Sequence, residues 1–107
     1  MSATLDRIRA LVATGDVRIS EHGYDELTAD GLTAREIIAG VANAEPIEDY
    51  PNFPKGSSVL ALQRDAAGRI IHVVWGIPRR YTNPAVLVTA YRPDPGKWDA
   101  TFRQRRP

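Results

Sequence analysis

Cysteine is absent from the 107 residues. That excludes disulfides and thiolate metal sites, and it fits a reducing compartment. Histidine is scarce: His22 and His72 are the only two, so imidazole chemistry rests on two positions. Apolar runs are short, and none approaches the roughly 20 residues that span a bilayer. The start, Met1-Ser2-Ala3-Thr4, leads into a charged amphipathic segment with no apolar block, so no signal peptide is expected and the expected location is cytoplasmic. There is no Gly-rich phosphate loop, no Ser/His/Asp arrangement and no acidic metal cluster. His22 and Glu26 are four apart on one helical face, but two ligands without a third do not make a metal site. The sequence therefore predicts no metal, no cofactor and no membrane partner.

The chain is long enough for a single domain over 1–107 with one core. Its net charge of +1 conceals a split. Residues 1–77 hold seven Lys/Arg against eleven Asp/Glu, whereas residues 78–107 hold seven against two. Six of those last seven are arginines (Arg79, Arg80, Arg92, Arg103, Arg105 and Arg106), the better fork for phosphate. Residues 93–107 read as a basic arm or short helix. Either the arm is solvated, or this end of the chain meets a polyanion such as RNA or an acidic protein.

Leu5, Ile8, Leu11 and Val12 recur at helical spacing and predict a helix over 4–14, closed by Gly15. Val17-Arg18-Ile19 reads as an extended link. Ser20 sits where an N-cap belongs, ahead of a second helix running to about Asp30. Thr33-Ala34-Arg35-Glu36 is a capping box for a third. From Asn43 the character changes. Ile47–Tyr50 predicts an edge strand, Ser58–Arg64 and Arg69–Ile77 a hairpin about a turn at 65–68, and Ala85–Arg92 another strand. The expected fold is α+β, with two to three N-terminal helices on one face of an antiparallel sheet of three to four strands.

Pairing Arg64 with Arg69, and Ile77 with Ala85, sets Ala61 and Ala90 beside His72. One face then carries Leu60, Leu62, Ile71, Val73, Trp75, Leu87, Thr89 and Tyr91 as the seat for the helices. The other carries Val59, Ala61, Gln63, Ile70, His72, Val74, Val88, Ala90 and Arg92. Gln63, His72 and Arg92 around a shallow floor form a candidate phosphate site. A one-residue bulge would instead bring Thr89 and Tyr91 to His72 and send Arg92 away. In the bland reading His72 is half-exposed and a homodimer packs over Val59, Val74 and Val88. His22, in the first turn of its helix, is a candidate general base. Trp75 and Tyr81 could stack on bases, although Trp75 is better explained as core.

Ser20-Glu21-His22-Gly23-Tyr24, Ile47-Glu48-Asp49-Tyr50-Pro51, Gln63-Arg64-Asp65, Ile71–Pro78 and Val88–Pro95 form an ordered set over about Val17 to Trp98. This set resembles the domain-of-unknown-function family 4258, which more distantly resembles RelE-like and BrnT-like toxin ribonucleases. The resemblance implies a RelE-like fold with one sheet face open to RNA. It marks His22, His72, Thr89, Tyr91 and Arg92 as catalytic candidates. Many members carry an arginine after the first histidine, where this chain has Asp25 and Glu26, an acidic pair that would repel a phosphate. Two functions follow. One is metal-independent endoribonuclease action of toxin type: a histidine takes the proton of the RNA 2′-hydroxyl, His or Tyr91 protonates the leaving 5′-oxygen, and Arg92 stabilises the charge. The other is a non-catalytic module binding RNA or an antitoxin-like protein, with Gln63, Arg79, Arg80, Arg103, Arg105 and Arg106 as contacts.

Overall fold

A computed structural model describes residues 2–107. Helix α1 (Ala3–Ala13) starts at Ser2, whose hydroxyl accepts from the Leu5 amide. After strand β1 (Val17–Ile19) come α2 (Glu21–Ala29) and α3 (Ala34–Gly40). Ser20 caps α2 through the Gly23 amide, and Thr33 and Glu36 close the capping box of α3. The sheet strands follow: β2 (Glu45–Tyr50), β3 (Ser58–Arg64), β4 (Ile70–Gly76) and β5 (Ala85–Tyr91).

The class is α+β, as the order of periodicities implied, but the sheet is larger and mixed. Five strands run in the order β1-β5-β4-β3-β2, with β1 parallel to β5 and the other pairs antiparallel. The stretch read as a link, Val17-Arg18-Ile19, is an edge strand; three residues are too few to show a period.

The expected register is corrected on both sides of β4. Asp65 and Arg69 close a three-residue turn, with Gly68 left-handed and the Asp65 carboxylate accepting from the Ala67 and Arg69 amides. Ala61 therefore pairs with Val73, and Leu62 with His72. A slip of one residue exchanges the faces of β3. Leu60 and Leu62 leave the helical side, and Val59, Ala61 and Gln63 take their place. On β5, Val74 pairs with Thr89 and Trp75 with Leu87, so Val88 is an extra, bulged residue. Beyond it Tyr91 pairs with His72 and Ala90 with Val73.

Val59, Ala61, Ile71, Val73, Trp75, Leu87 and Ala90 form the sheet side of the core, with Leu5, Ile8, Leu27 and Ile37 of the helices above them. Gln63 is buried among them. Its Oε1 accepts from the Trp75 indole at 2.8 Å, and its Nε2 donates at 2.8 Å to the carbonyl of Ile37. That carbonyl lies in the last turn of α3, and the cap amide of Val41 donates to the Ile38 carbonyl instead. Gln63 thus satisfies the indole and the helix end together.

Helix α2 is docked through the bulge. The Ser20 amide donates to the Leu87 carbonyl, and the Ser20 hydroxyl donates at 2.8 Å to the Val88 carbonyl, which the bulge takes out of the ladder. Gly23 lies directly above: a Cβ there would sit 2.8 Å from the Val88 oxygen and 2.9 Å from that of Leu87. In an exposed helix Gly→Ala stabilises by about 1 kcal/mol. Here the clash with two backbone oxygens outweighs that gain, and Gly23→Ala is predicted to destabilise by about 1–3 kcal/mol. Urea unfolding measures it; an unchanged or higher midpoint would contradict this docking.

Candidate functional site

The sheet face away from the helices is organised in rows. Glu45, Leu62, His72 and Tyr91 are successive cross-strand partners, as are Glu48, Leu60, Val74 and Thr89, and then Tyr50, Ser58, Gly76 and Val86. A second bulge, at Ile47, places Glu45 and Glu48 on the same face. Glu45, Glu48 and Tyr50 thus stand on the edge strand β2, Leu60 and Leu62 beside them on β3, and His72 on the central strand β4.

Residues 93–107 cover the first two rows. They form neither a helix nor a free arm. The segment turns back on itself, with an isolated bridge between Trp98 and Arg105 and the Asp99 carboxylate accepting from the Thr101 and Arg103 amides. Trp98 is buried on His72, the rings edge to face with centroids 4.4 Å apart. The carbonyl of Phe102 accepts from His72 Nε2 at 2.8 Å. Arg103 forks onto the Glu45 carboxylate at 2.8 and 3.3 Å. Arg105 forks onto Glu48 at 2.7 and 3.0 Å, and its guanidinium stacks over Trp98. Exposed ion pairs contribute little, about 0–1 kcal/mol each. Burial of Trp98 is the stronger hold.

His72 is therefore fully buried. A carbonyl can only accept, so Nε2 carries the ring proton and Nδ1 is a bare acceptor, without a partner among the described residues. Burial pushes the imidazole pKa below its ordinary value. The Phe102 carbonyl and the Glu48 charge oppose that shift, and Arg105 adds to it. The Tyr91 ring lies 5.5 Å away, its phenol held above its usual range by burial. The Arg105 fork holds the Glu48 carboxyl below its ordinary value, helped by the hydroxyl of Tyr50, which donates to it.

The structure thus gathers His72, Thr89 and Tyr91 on one face and removes the other candidates from it. Arg92 points to the opposite face: its amide donates to Asp30, and its guanidinium reaches Asp65 at 2.9 Å. Gln63 belongs to the core. His22 is 70% exposed on α2, 3.5 Å from Glu26, and shares no neighbour with His72. Of the arginines assigned to RNA, Arg103 and Arg105 are paired with carboxylates, and Arg106 donates to the Pro95 carbonyl. Arg79 and Arg80 have no side-chain partner among the described residues, and neither does Lys55. The valine patch offered for a dimer is split: Val59 is in the core, whereas Val74 and Val88 lie on the open face.

The open part, at the third row, is a cleft of about 350 Å³. Val74, Val86 and Val88 line it, with Tyr50, Phe53 and Lys55 also at its walls. Sequence reasoning missed Glu48, Tyr50, Phe53, Lys55 and the covering Trp98. The alternation in Ile47-Glu48-Asp49-Tyr50 was a signal for the first two. Among the described residues no group of three or more His, Asp or Glu could hold a metal, and no helix is long and apolar enough to cross a membrane.

The His72 geometry fixes the sign of a pH effect. Its folded pKa lies below the unfolded value, so the unfolded chain binds the extra proton first. Stability is predicted to fall as pH drops below about 6.5, by up to about 1.4 kcal/mol per pH unit until the folded pKa is passed. Urea midpoints from pH 7.5 to 5 measure this for the wild type and His72→Asn. The slope should flatten in the variant; an equal slope would remove His72 as its source.

No curated protein and no solved structure matches the chain in the comparisons made. A family model, described as a domain of unknown function (DUF4258), matches residues 19–92, which run from the last residue of β1 through β5, include both bulges and the Ser20–Gly23 docking, and end before the covering segment. The chain belongs to the DUF4258 family.

Proposed function

We propose that the protein binds single-stranded RNA without cleaving it, using the open part of the sheet face away from the helices. One observation carries this reading. Lys55, Arg79 and Arg80 lack carboxylate partners among the described residues, and they stand in two loops beside the exposed rings of Tyr50, Phe53 and Tyr81. The loops are tied together where the Arg79 amide donates to the Lys55 carbonyl, and the Ile77 amide to that of Ser57. Unpaired cations attract a backbone of phosphates, and exposed aromatic rings stack on bases of any sequence. The covered row, by contrast, offers RNA two carboxylates.

Salt dependence measures this directly. Each phosphate contact on a single strand contributes a slope of about −0.7 in log affinity against log salt, so three cations predict a slope of about −2. Arg79→Ala with Arg80→Asn should bring it to about −0.7. Asn is chosen because Arg80 has a φ of 69°, which asparagine tolerates. Arg106→Ala should leave the slope at about −2. Binding that ignores salt, or a double variant with the full slope, would overturn the assignment.

A second reading, toxin-type ribonuclease action, is favoured by the meeting of Glu48, His72, Tyr91 and Arg105 on one face. In it the neutral imidazole takes the 2′-hydroxyl proton, Tyr91 protonates the leaving 5′-oxygen, and Arg105 replaces the displaced Arg92 as counter-charge. RNA reaches His72 only after the covering segment lifts. In EDTA the intact chain is expected to leave mixed RNA uncut. Cleavage leaving 2′,3′-cyclic phosphate ends, abolished by His72→Ala, would establish the second reading in place of the first.

A further inference from the structure

Two cavities adjoin at the loop end of the sheet and share one wall, made of Phe53, Gly56 and Pro78. On one side is the cleft floored by Val74, Val86 and Val88. On the other is a hollow of about 490 Å³ lined by Asn52, Ser57, Arg79, Arg80 and Tyr81. The wall is thin because of Gly56. Its φ is 129°, and a Cβ would fall 1.9 Å from the Ile77 oxygen, so no other residue lets loops 51–57 and 77–81 approach so closely. The two halves differ in chemistry. The cleft presents almost entirely carbon, with aromatic rings at its mouth. The hollow presents guanidinium, amide and hydroxyl groups.

A ligand that meets both halves has a flat, largely apolar body joined through a short spacer to an anion. We propose that the paired cavities are a site for one nucleotide of RNA, with the base in the cleft against Tyr50 and Phe53 and its phosphate in the hollow with Arg79 and Arg80. This rests on the reading of the open face as an RNA surface, and it adds that a single base leaves the stack and enters the sheet. The cleft, at about 350 Å³, falls at the lower end of the roughly 300–1,000 Å³ of small-molecule sites, which suits one base and sugar. Its carbon lining reads no hydrogen-bonding edge, so all four bases are accepted. The arginines supply the planar fork that phosphate oxygens match. Tyr50 also ties the cleft to the covered row, because its hydroxyl donates to the Glu48 carboxylate.

The test uses the full chain and a uridine RNA hexamer, whose bases stack little when free, carrying one 2-aminopurine, whose fluorescence is quenched on stacking. Wild type should quench the probe as it binds. Phe53→Ala removes a half-exposed ring without touching the core; it should abolish the quench and weaken binding about 5- to 100-fold. Arg79→Ala with Arg80→Asn should weaken binding at low salt by at least as much. Loss in the arginine variant with a normal quench and affinity in Phe53→Ala would overturn the nucleotide site and leave the RNA surface standing. No binding of the hexamer by wild type would sink both. Quench and affinity that respond to both sets of changes would support the site, and equal affinity for unlabelled adenine and uridine hexamers would support its indifference to the base.

Discussion

One extra residue on β5 decides which side chains meet. Without the bulge at Val88, Thr89 and Tyr91 would face the helices, and Ala90 and Arg92 would lie beside His72. With it, Tyr91 reaches His72, while Arg92 turns to the carboxylates of Asp30 and Asp65. A bulge leaves a carbonyl without its ladder partner. The Ser20 hydroxyl supplies the missing donor, and the same oxygen caps α2 through the Gly23 amide. One hydroxyl therefore holds the bulge, starts a helix and docks that helix on the sheet. In this packing Ser20 and Gly23 act, and His22 between them points outward.

The second constraint is the segment after β5. Its contacts fall on the polar groups that the sheet would otherwise leave open: Glu45, Glu48 and His72 each receive one partner from residues 102–105, and the Trp98 ring is buried against that of His72. A face that holds an imidazole and two carboxylates looks reactive on paper. In the folded chain each of these groups is already engaged. His72 is kept neutral by burial, and Glu48 is kept ionised by Arg105. The match of two arginines to two carboxylates fixes the register of the cover, whereas the buried indole supplies most of its adhesion.

Much of the fold could be read in advance, because its signals are local. Ser20, the Thr33/Glu36 box and the β-branched run through Ile70–Gly76 each fix an element by nearest-neighbour physics. The register could not be read so securely, because it depends on whether a turn holds three residues or four. The Asp65 side chain settles that by bonding two amides within the turn. That single count moved Gln63 from a candidate phosphate ligand to the hub joining Trp75 and α3. Likewise β1 has too few residues to show alternation, and it is a strand only because β5 lies beside it. The candidate site suffered most, since a site is a set of cross-strand neighbours and each register step replaces half of them.

The charge of the C-terminal third shows the same limit. Seven basic residues in 78–107 suggest a continuous cationic end, but sequence counts charges without their partners. Glu45 and Glu48, some fifty-five residues earlier, answer Arg103 and Arg105, and Asp65 answers Arg92. What is left on the open side of the sheet is smaller and better defined: Arg79 and Arg80, joined by Lys55 from the acidic two-thirds of the chain. These three stand where exposed rings and an apolar cleft are also found. Exposed apolar surface is unfavourable in water, and a patch of it rimmed by unpaired charge marks a surface that a partner covers. An anion with a flat apolar body matches both features, and for that reason we propose function at this end of the face rather than at the histidine of its closed end.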